Sequence, residues 1–243
     1  MADWFENWFE SDEYLNVYRH RNHEDAKKLF DLIARNIQIP DKGTVLDLAC
    51  GAGRHSILFA KRGYKVTSVD LSKNLLEIAR NEAKIENVEL NLIRCDIRKF
   101  TTDIEFDLVL NLFTSFGYFE NDSENFAIFD TVYTSLKKDG FFVFDYLNKD
   151  FVEKNIVPED VTVNNGTTIL QTRQITGGRV VKNIKIQKED KELSFLESVR
   201  LYSKDILVDE LESRRFKVNN IFGDLNGNKF NKDSDRVIII AKK

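Results

Sequence analysis

The chain of 243 residues is short of the residues that break, staple or metallate a fold: it has 11 glycines, two prolines, two cysteines, one methionine and three histidines. So little glycine and proline excludes collagen-like and low-complexity chains, and a hydrophobic share of 42% excludes disorder by composition. Cys50 and Cys95, each inside an apolar run, make no disulfide framework and read as buried thiols of a reducing compartment, so a cytoplasmic location is expected. No His/Cys/Asp/Glu group has ligand spacing, so no metal is expected, and no nucleophile set such as Ser/His/Asp has a local signature. The net charge is −4 and no Lys/Arg block is interleaved with aromatics, so no nucleic-acid partner is expected. The apolar stretch 237–241 is far short of the ~20 residues of a membrane helix, and acids stand where a leader would be basic. A soluble monomer or homodimer without a membrane partner is the expectation.

What the chain does have is aromatic and apolar weight, with 19 phenylalanines. Ala26, Leu29, Phe30, Ile33 and Ile37 recur at helical spacing before Pro40. Apolar runs at 44–49, 66–69, 88–94, 106–110 and 141–144 then alternate with helical stretches, two of them opened by Ser72 and Asp122 as caps and one stopped by Gly140. Strands apolar on both faces, alternating with helices, indicate a parallel sheet covered on both sides. Between 151 and 203 the period falls to two, and Gly177-Gly178 joins the alternating runs 168–176 and 179–188 as a hairpin, with a third strand near 193–202. A helix capped by Ser203 or Asp205 and two strands, 217–222 and 236–241, close the chain. The expected fold class is α/β: a doubly wound, seven-stranded, mostly parallel sheet with an antiparallel last strand, plus a small antiparallel β insertion. The expected organisation is one domain over 1–243, with an aromatic lid at 1–22 and the insertion at 151–203.

Chemistry concentrates in Val45-Leu46-Asp47-Leu48-Ala49-Cys50-Gly51-Ala52-Gly53-Arg54. Two glycines let the backbone turn tightly into a helix whose first N–H groups favour an anion. Asp70, nineteen residues beyond Gly51 at the end of the next strand, can accept both hydroxyls of a ribose. Dinucleotide-binding dehydrogenases share this pattern, but they carry a third glycine where this chain has Ser56. Each acid also has a plain structural reading: Asp47 as a strand acid, Asp70 as a helix cap, Asp96 as a turn residue. Their recurrence at the ends of successive strands, where open α/β sheets bind ligands, favours a ligand site.

The run Asp47-Leu48-Ala49-Cys50-Gly51-Ala52-Gly53 resembles the first motif of the class I S-adenosylmethionine-dependent methyltransferases, and the resemblance extends over about residues 40–148. It implies S-adenosyl-L-methionine as cofactor, with Gly51 and Gly53, beside Ala49, against the methionine half and Asp47 ordering its amino group. It further implies Asp70 on the ribose hydroxyls, Leu71 beside the adenine, Asp96 on the adenine amino group and the Ile97 N–H on a ring nitrogen. Asn111 would face the methionine moiety through its backbone, and Phe113, Ser115 and Phe116 would lead into the acceptor pocket. The closing strands resemble the family's antiparallel final hairpin. The insertion resembles that of small-molecule N-methyltransferases, including those acting on amino sugars and glycine, which implies a small acceptor methylated on nitrogen or oxygen.

Trp4, Phe5, Trp8, Phe9, Tyr14 and Tyr18 crowd the N-terminal segment. As a lid they would exclude water and surround a sulfonium with aromatic faces, and the same spacing fits a helix covering the sheet. Tyr18 and Arg21 are expected at the cofactor. Tyr14, Tyr18 and Asp145 are candidates for a catalytic base, although Asp145 equally suits capping the turn at 146–148. His55 reads as a packed helix residue and His20 as part of the lid. A non-catalytic S-adenosylmethionine-binding protein, an enzyme of a modified cofactor, and an NAD-dependent oxidoreductase stay open as alternatives.

Overall fold

Residues 3–18, 23–164, 166–189 and 191–243 are described in the computed structural model. Their main body is a seven-stranded sheet built from β1 (Thr44–Leu48), β2 (Lys65–Asp70), β3 (Asn91–Arg94), β4 (Phe106–Asn111), β5 (Leu136–Leu147), β10 (Lys217–Phe222) and β11 (Arg236–Lys242), in the order β10-β11-β5-β4-β1-β2-β3. β11 runs antiparallel to both its neighbours and the other pairings are parallel. Alternate residues feed two cores. Val45, Leu108, Leu110, Ile238 and Ile240 pack on one face with α3 (His23–Asn36) and α4 (Arg54–Lys61). Leu46, Val109, Phe142, Phe144 and Ile239 pack on the other with α6 (Asp122–Ser135) and α8 (Lys204–Ser213). Burial on both faces is why these strands read as continuous apolar runs.

The aromatic weight sits in the second core: Phe116 stacks on Phe129, with centroids 5.1 Å apart and planes 9° apart, and meets Phe144 and Tyr146 edge-on. Ser72 accepts from Leu75 N–H and Ser203 from Ile206 N–H, as helix caps do. Asp122 does not cap: Asn121 holds the cap position of α6, and Asp122 accepts from the Tyr202 hydroxyl at 2.7 Å. β3 is shorter than expected, four residues, because 88–90 belong to the connection that follows α5 (Lys73–Ile85) and its turn. β5 is longer and begins at Leu136, as α6 ends before Gly140 is reached.

The insertion is a four-stranded antiparallel sheet, β6 (Glu159–Asn164), β7 (Thr167–Thr176), β8 (Arg179–Lys188) and β9 (Lys191–Arg200), in that order. The Gly177-Gly178 hairpin is as expected, whereas β6 was not expected, and 149–155 form α7 (Lys149–Asn155), capped by Asn148 rather than Asp145. The N-terminal segment folds as α1 (Trp4–Glu10) and α2 (Glu13–Val17). These two helices lie across the junction of the sheets: Phe5 joins the main core, while Trp8 and Val17 pack with Ile169, Ile184 and Ile186 of the insertion. Among the described residues no helix is long and apolar enough to cross a membrane.

Candidate active site

The turn after β1 is held in place by the acid at the end of β2. Gly51 N–H donates to Asp70 Oδ2 at 2.7 Å and Ser72 N–H to Asp70 Oδ1 at 2.9 Å, so one carboxylate ties two strand-end loops together. Burial raises the Asp70 pKa, against those backbone hydrogen bonds. Ala49, Gly51 and Gly53 all carry positive φ, of 58°, 57° and 77°. At Gly53 a Cβ would come within 2.9 Å of Ala79 Cβ, so the start of α4 packs on α5 only with glycine there. At Gly51 a Cβ would meet nothing within 4 Å: the loop leaves an open face.

Asp47 lies beneath that loop, accepting from the Ser56 hydroxyl at 2.6 Å. Burial, with repulsion from Asp70, outweighs this bond and pushes its carboxyl from an ordinary 3.8 up to about 7. Ser56, in the position that counted against a dinucleotide fingerprint, is thus the partner of the strand acid. Asn111 donates to Leu48 O and Ser115 O, both at 3.2 Å, and its buried Oδ1 has no partner among the described residues.

The open face leads into a narrow cleft of about 80 Å³ that includes Ala49, Asp70, Leu71, Asp96 and Ile97, with Ser115 and an edge of Phe116. Phe5, Phe9 and Tyr14 roof it. Asp96 is gripped by Arg98, whose Nε lies 3.1 and 3.0 Å from the two carboxylate oxygens and whose terminal nitrogen is 2.6 Å from Oδ2. Burial would raise the Asp96 pKa, but the Arg98 contacts prevail and hold it low. Asp47, Gly53 and Asn111 support this cleft from below and do not line it. Ser115 and Phe116, expected in the acceptor pocket, belong to it instead, because Phe116 is committed to the aromatic core.

A second, larger cavity of about 470 Å³ adjoins the first, and Phe9, Tyr14 and Tyr118 border both. Phe113 and Thr114 form part of its wall, and Tyr18 faces it. Its charged lining comes from the insertion. The two-residue hairpin sets Arg173 opposite Lys182, and the β8–β9 register sets Lys182 opposite Glu197, so one cross-strand row of charges faces the cavity. Arg173 pairs with Asp160, and Lys182 with Glu197 at 2.6 Å. Sequence reading missed Asp160, Arg173, Lys182 and Glu197; the hairpin register alone gives the Arg173–Lys182 pairing.

Asp145 is corrected as a candidate base. It is fully buried, lines neither cavity, and binds Arg236 through both oxygens at 2.6 and 2.8 Å. It also accepts from Phe113 N–H at 3.0 Å, fixing a turn in which Phe113 and Thr114 have φ of 56° and 64°. His55 packs against Phe113, and burial, with Arg54 and Arg236 nearby, keeps its pKa well below the ordinary value. Arg21 and His20 lie outside the described residues. No cluster of three metal-ligating side chains occurs among the described residues.

Residues 45–140 match the family described as a methyltransferase domain. That stretch of the chain is a methyltransferase domain. It is 33% identical over 122 residues to YqeM of Bacillus subtilis (strain 168), named as a methyltransferase, which is 50% of this chain and 49% of that one. It is 30% identical over 167 residues to a glycine/sarcosine N-methyltransferase of Aphanothece halophytica, 63% of each chain. The chain thus spans about half the length of the first curated relatives it matches. A solved S-adenosylmethionine-dependent methyltransferase from Clostridium acetobutylicum ATCC 824 shares the fold, with a TM-score of 0.83 at 19% identity over 94% of this chain and 95% of that one. So does the amino pentose methyltransferase CalS10 of Micromonospora echinaspora, with a TM-score of 0.71 at 21% identity over 96% and 97%.

The residues at the cleft fit S-adenosylmethionine, the cofactor named for the solved structures of the same fold. The open face at Gly51 and the carboxylate of Asp70 beside it form a cradle with acceptors for a ligand rich in hydroxyl and amino donors, and below it the buried Oδ1 of Asn111 has no partner among the described residues.

Proposed function

We propose that this protein is a methyltransferase that moves a methyl group from S-adenosyl-L-methionine to a nitrogen or oxygen of a small-molecule acceptor. The observation that carries this reading is the pair of adjoining cavities: a narrow cleft with Asp70 and Asp96 and a roomier cavity with the charged row of the insertion, meeting at Tyr14. Bound in the cleft, the cofactor supplies an electrophilic methyl carbon on a sulfonium. In this reading Asp70 holds the ribose hydroxyls, Leu71 and Ile97 flank the adenine, Asp96 meets its amino group, and Asp47 and Asn111 order the methionine end. Phe9, Tyr14 and Tyr118 exclude water where the cavities meet and present aromatic faces to the sulfonium.

The second cavity positions the acceptor, and orientation is the main part of the catalysis. The proton the acceptor sheds has a route through Tyr18, whose hydroxyl donates to Glu197 at 2.5 Å. Balanced Asp160–Arg173 and Lys182–Glu197 pairs, amid a mostly apolar lining, suit an acceptor that is polar or zwitterionic at one point and apolar elsewhere. Trp4, whose buried indole N–H has no partner among the described residues, lines the same cavity and can donate to an acceptor oxygen. The named substrates of relatives, glycine or sarcosine and an amino pentose, are small and carry nitrogen.

The test is a screen of small amines and hydroxy compounds for formation of S-adenosylhomocysteine. Turnover with one class identifies the acceptor. Binding of the cofactor without turnover on any member points to a binding protein instead, and binding of NAD in preference to either sulfur nucleoside overturns the reading.

A further inference from the structure

One carboxylate of the insertion holds both N-terminal helices. Glu197 accepts from Trp8 Nε1 at 2.6 Å and from the Tyr18 hydroxyl at 2.5 and 2.7 Å, while Lys182 Nζ stands 2.6 Å away. Trp8 lies in α1 and Tyr18 closes α2, so each helix is pinned to β9 by its own donor. The Trp8 ring is fully buried with its centroid 4.6 Å from that of Phe195, on the same strand. These two helices supply Phe5, Phe9 and Tyr14, the roof of the narrow cleft. The cleft cannot be reached through that roof unless the helices lift; lifting breaks exposed bonds, from Lys73 N–H to Glu10 and from Asn74 to Asp12, and the buried one from Trp8 to Glu197.

We propose that Glu197 is the positioning residue that latches α1 and α2 shut over the nucleoside cleft, so that it sets how long a bound nucleoside is retained; the proposal rests on the reading that the cleft takes S-adenosyl compounds. In the closed arrangement the indole N–H of Trp8 is sealed from water and depends on Glu197, whereas in a lifted arrangement water can take it. Removing the carboxylate therefore penalises the closed state and spares the open one, because a buried donor stripped of its acceptor costs more than a solvated one. Tyr18 and Lys182 lose the carboxylate they share, which acts in the same direction. A ligand trapped under the roof then leaves faster, since residence follows the stability of the closed state.

The experiment uses intrinsic fluorescence, because the chain's two tryptophans, Trp4 and Trp8, are both in α1. S-adenosylhomocysteine is the probe, and its dissociation is followed by stopped flow in the wild type, Glu197→Ala, Glu197→Gln and Ile184→Val, the last a packing change in the same sheet that leaves the latch intact. Dissociation is expected to quicken about tenfold or more in Glu197→Ala, equivalent to about 1.4 kcal/mol. A smaller rise is expected in Glu197→Gln, and Ile184→Val should stay within about twofold of the wild type. Unchanged dissociation in both Glu197 variants overturns the latch. If the wild type binds no S-adenosylhomocysteine, the functional reading fails by itself, and the latch is still read in the free protein. In a Trp4→Phe background, acrylamide quenching of Trp8 should rise in Glu197→Gln. Equal quenching with and without the substitution overturns the latch whatever the ligand.

Discussion

Asp145 and Arg236, ninety-one residues apart in the chain, are joined by two hydrogen bonds of 2.6 and 2.8 Å behind the wall of the larger cavity. The pair is set on neighbouring antiparallel strands, and the carboxylate also holds the Phe113 N–H, so it shapes the cavity without entering it. Breaking one side of such a buried pair leaves an uncompensated charge. Asp145→Asn and Arg236→Met are each expected to lower stability by about 3–5 kcal/mol in urea denaturation, and the double variant by less than the two together. Losses that simply add would show that the pair is not coupled.

Asp70 joins the glycine turn to the next loop and faces the cleft. At about 100 times its dissociation constant, S-adenosylhomocysteine should stabilise the wild type by about 2.7 kcal/mol, a rise in Tm of roughly 5–10 °C. Asp70→Ala should remove that rise. A response matching the wild type's in differential scanning fluorimetry would show that Asp70 does not hold the ligand.

Asp47 gives the free protein a pH signature. Its carboxyl, at about 7 when folded, is still protonated where the unfolded chain has ionised, so its contribution is complete below the ordinary value and is lost as pH rises through about 7. Stability of the free protein is therefore expected to fall between about pH 4 and 7. Asp47→Asn, which keeps an acceptor for Ser56, should flatten that fall in urea titrations. An S-adenosyl ligand, whose ammonium favours the ionised carboxylate, should bind more tightly as pH rises through the same window. Calorimetry in buffers of different ionisation enthalpy should then report proton release.

The two cysteines differ in access. Cys95 lines the cleft and Cys50 does not. Burial raises both thiols, Cys50 far more strongly, so both react slowly and Cys50 least. Iodoacetamide labelling read by peptide mass spectrometry should mark Cys95 first, and S-adenosylhomocysteine should slow that labelling. Equal labelling with and without the ligand would place the nucleoside elsewhere.

Local pattern and short-range geometry were enough to determine the parallel sheet, the glycine turn, the acids at the strand ends and the Gly177-Gly178 hairpin. Strands buried on both faces must be apolar throughout, and a two-residue turn admits one register. β6 was hidden because an exposed edge strand carrying Glu159, Asp160, Thr162 and Asn164 has no apolar run to show. α7 was hidden because seven residues with none buried carry no helical stripe. What only the tertiary structure decided is which polar groups are spent and which are available. Asp145 sits at the end of its strand, as a catalytic acid would, and is neutralised by Arg236 from the far end of the chain. Glu197 lies in an unremarkable β segment and receives Trp8 and Tyr18 from 189 and 179 residues away. A side chain's partner across such distances is set by how two sheets and two short helices pack together, and no local spacing encodes it.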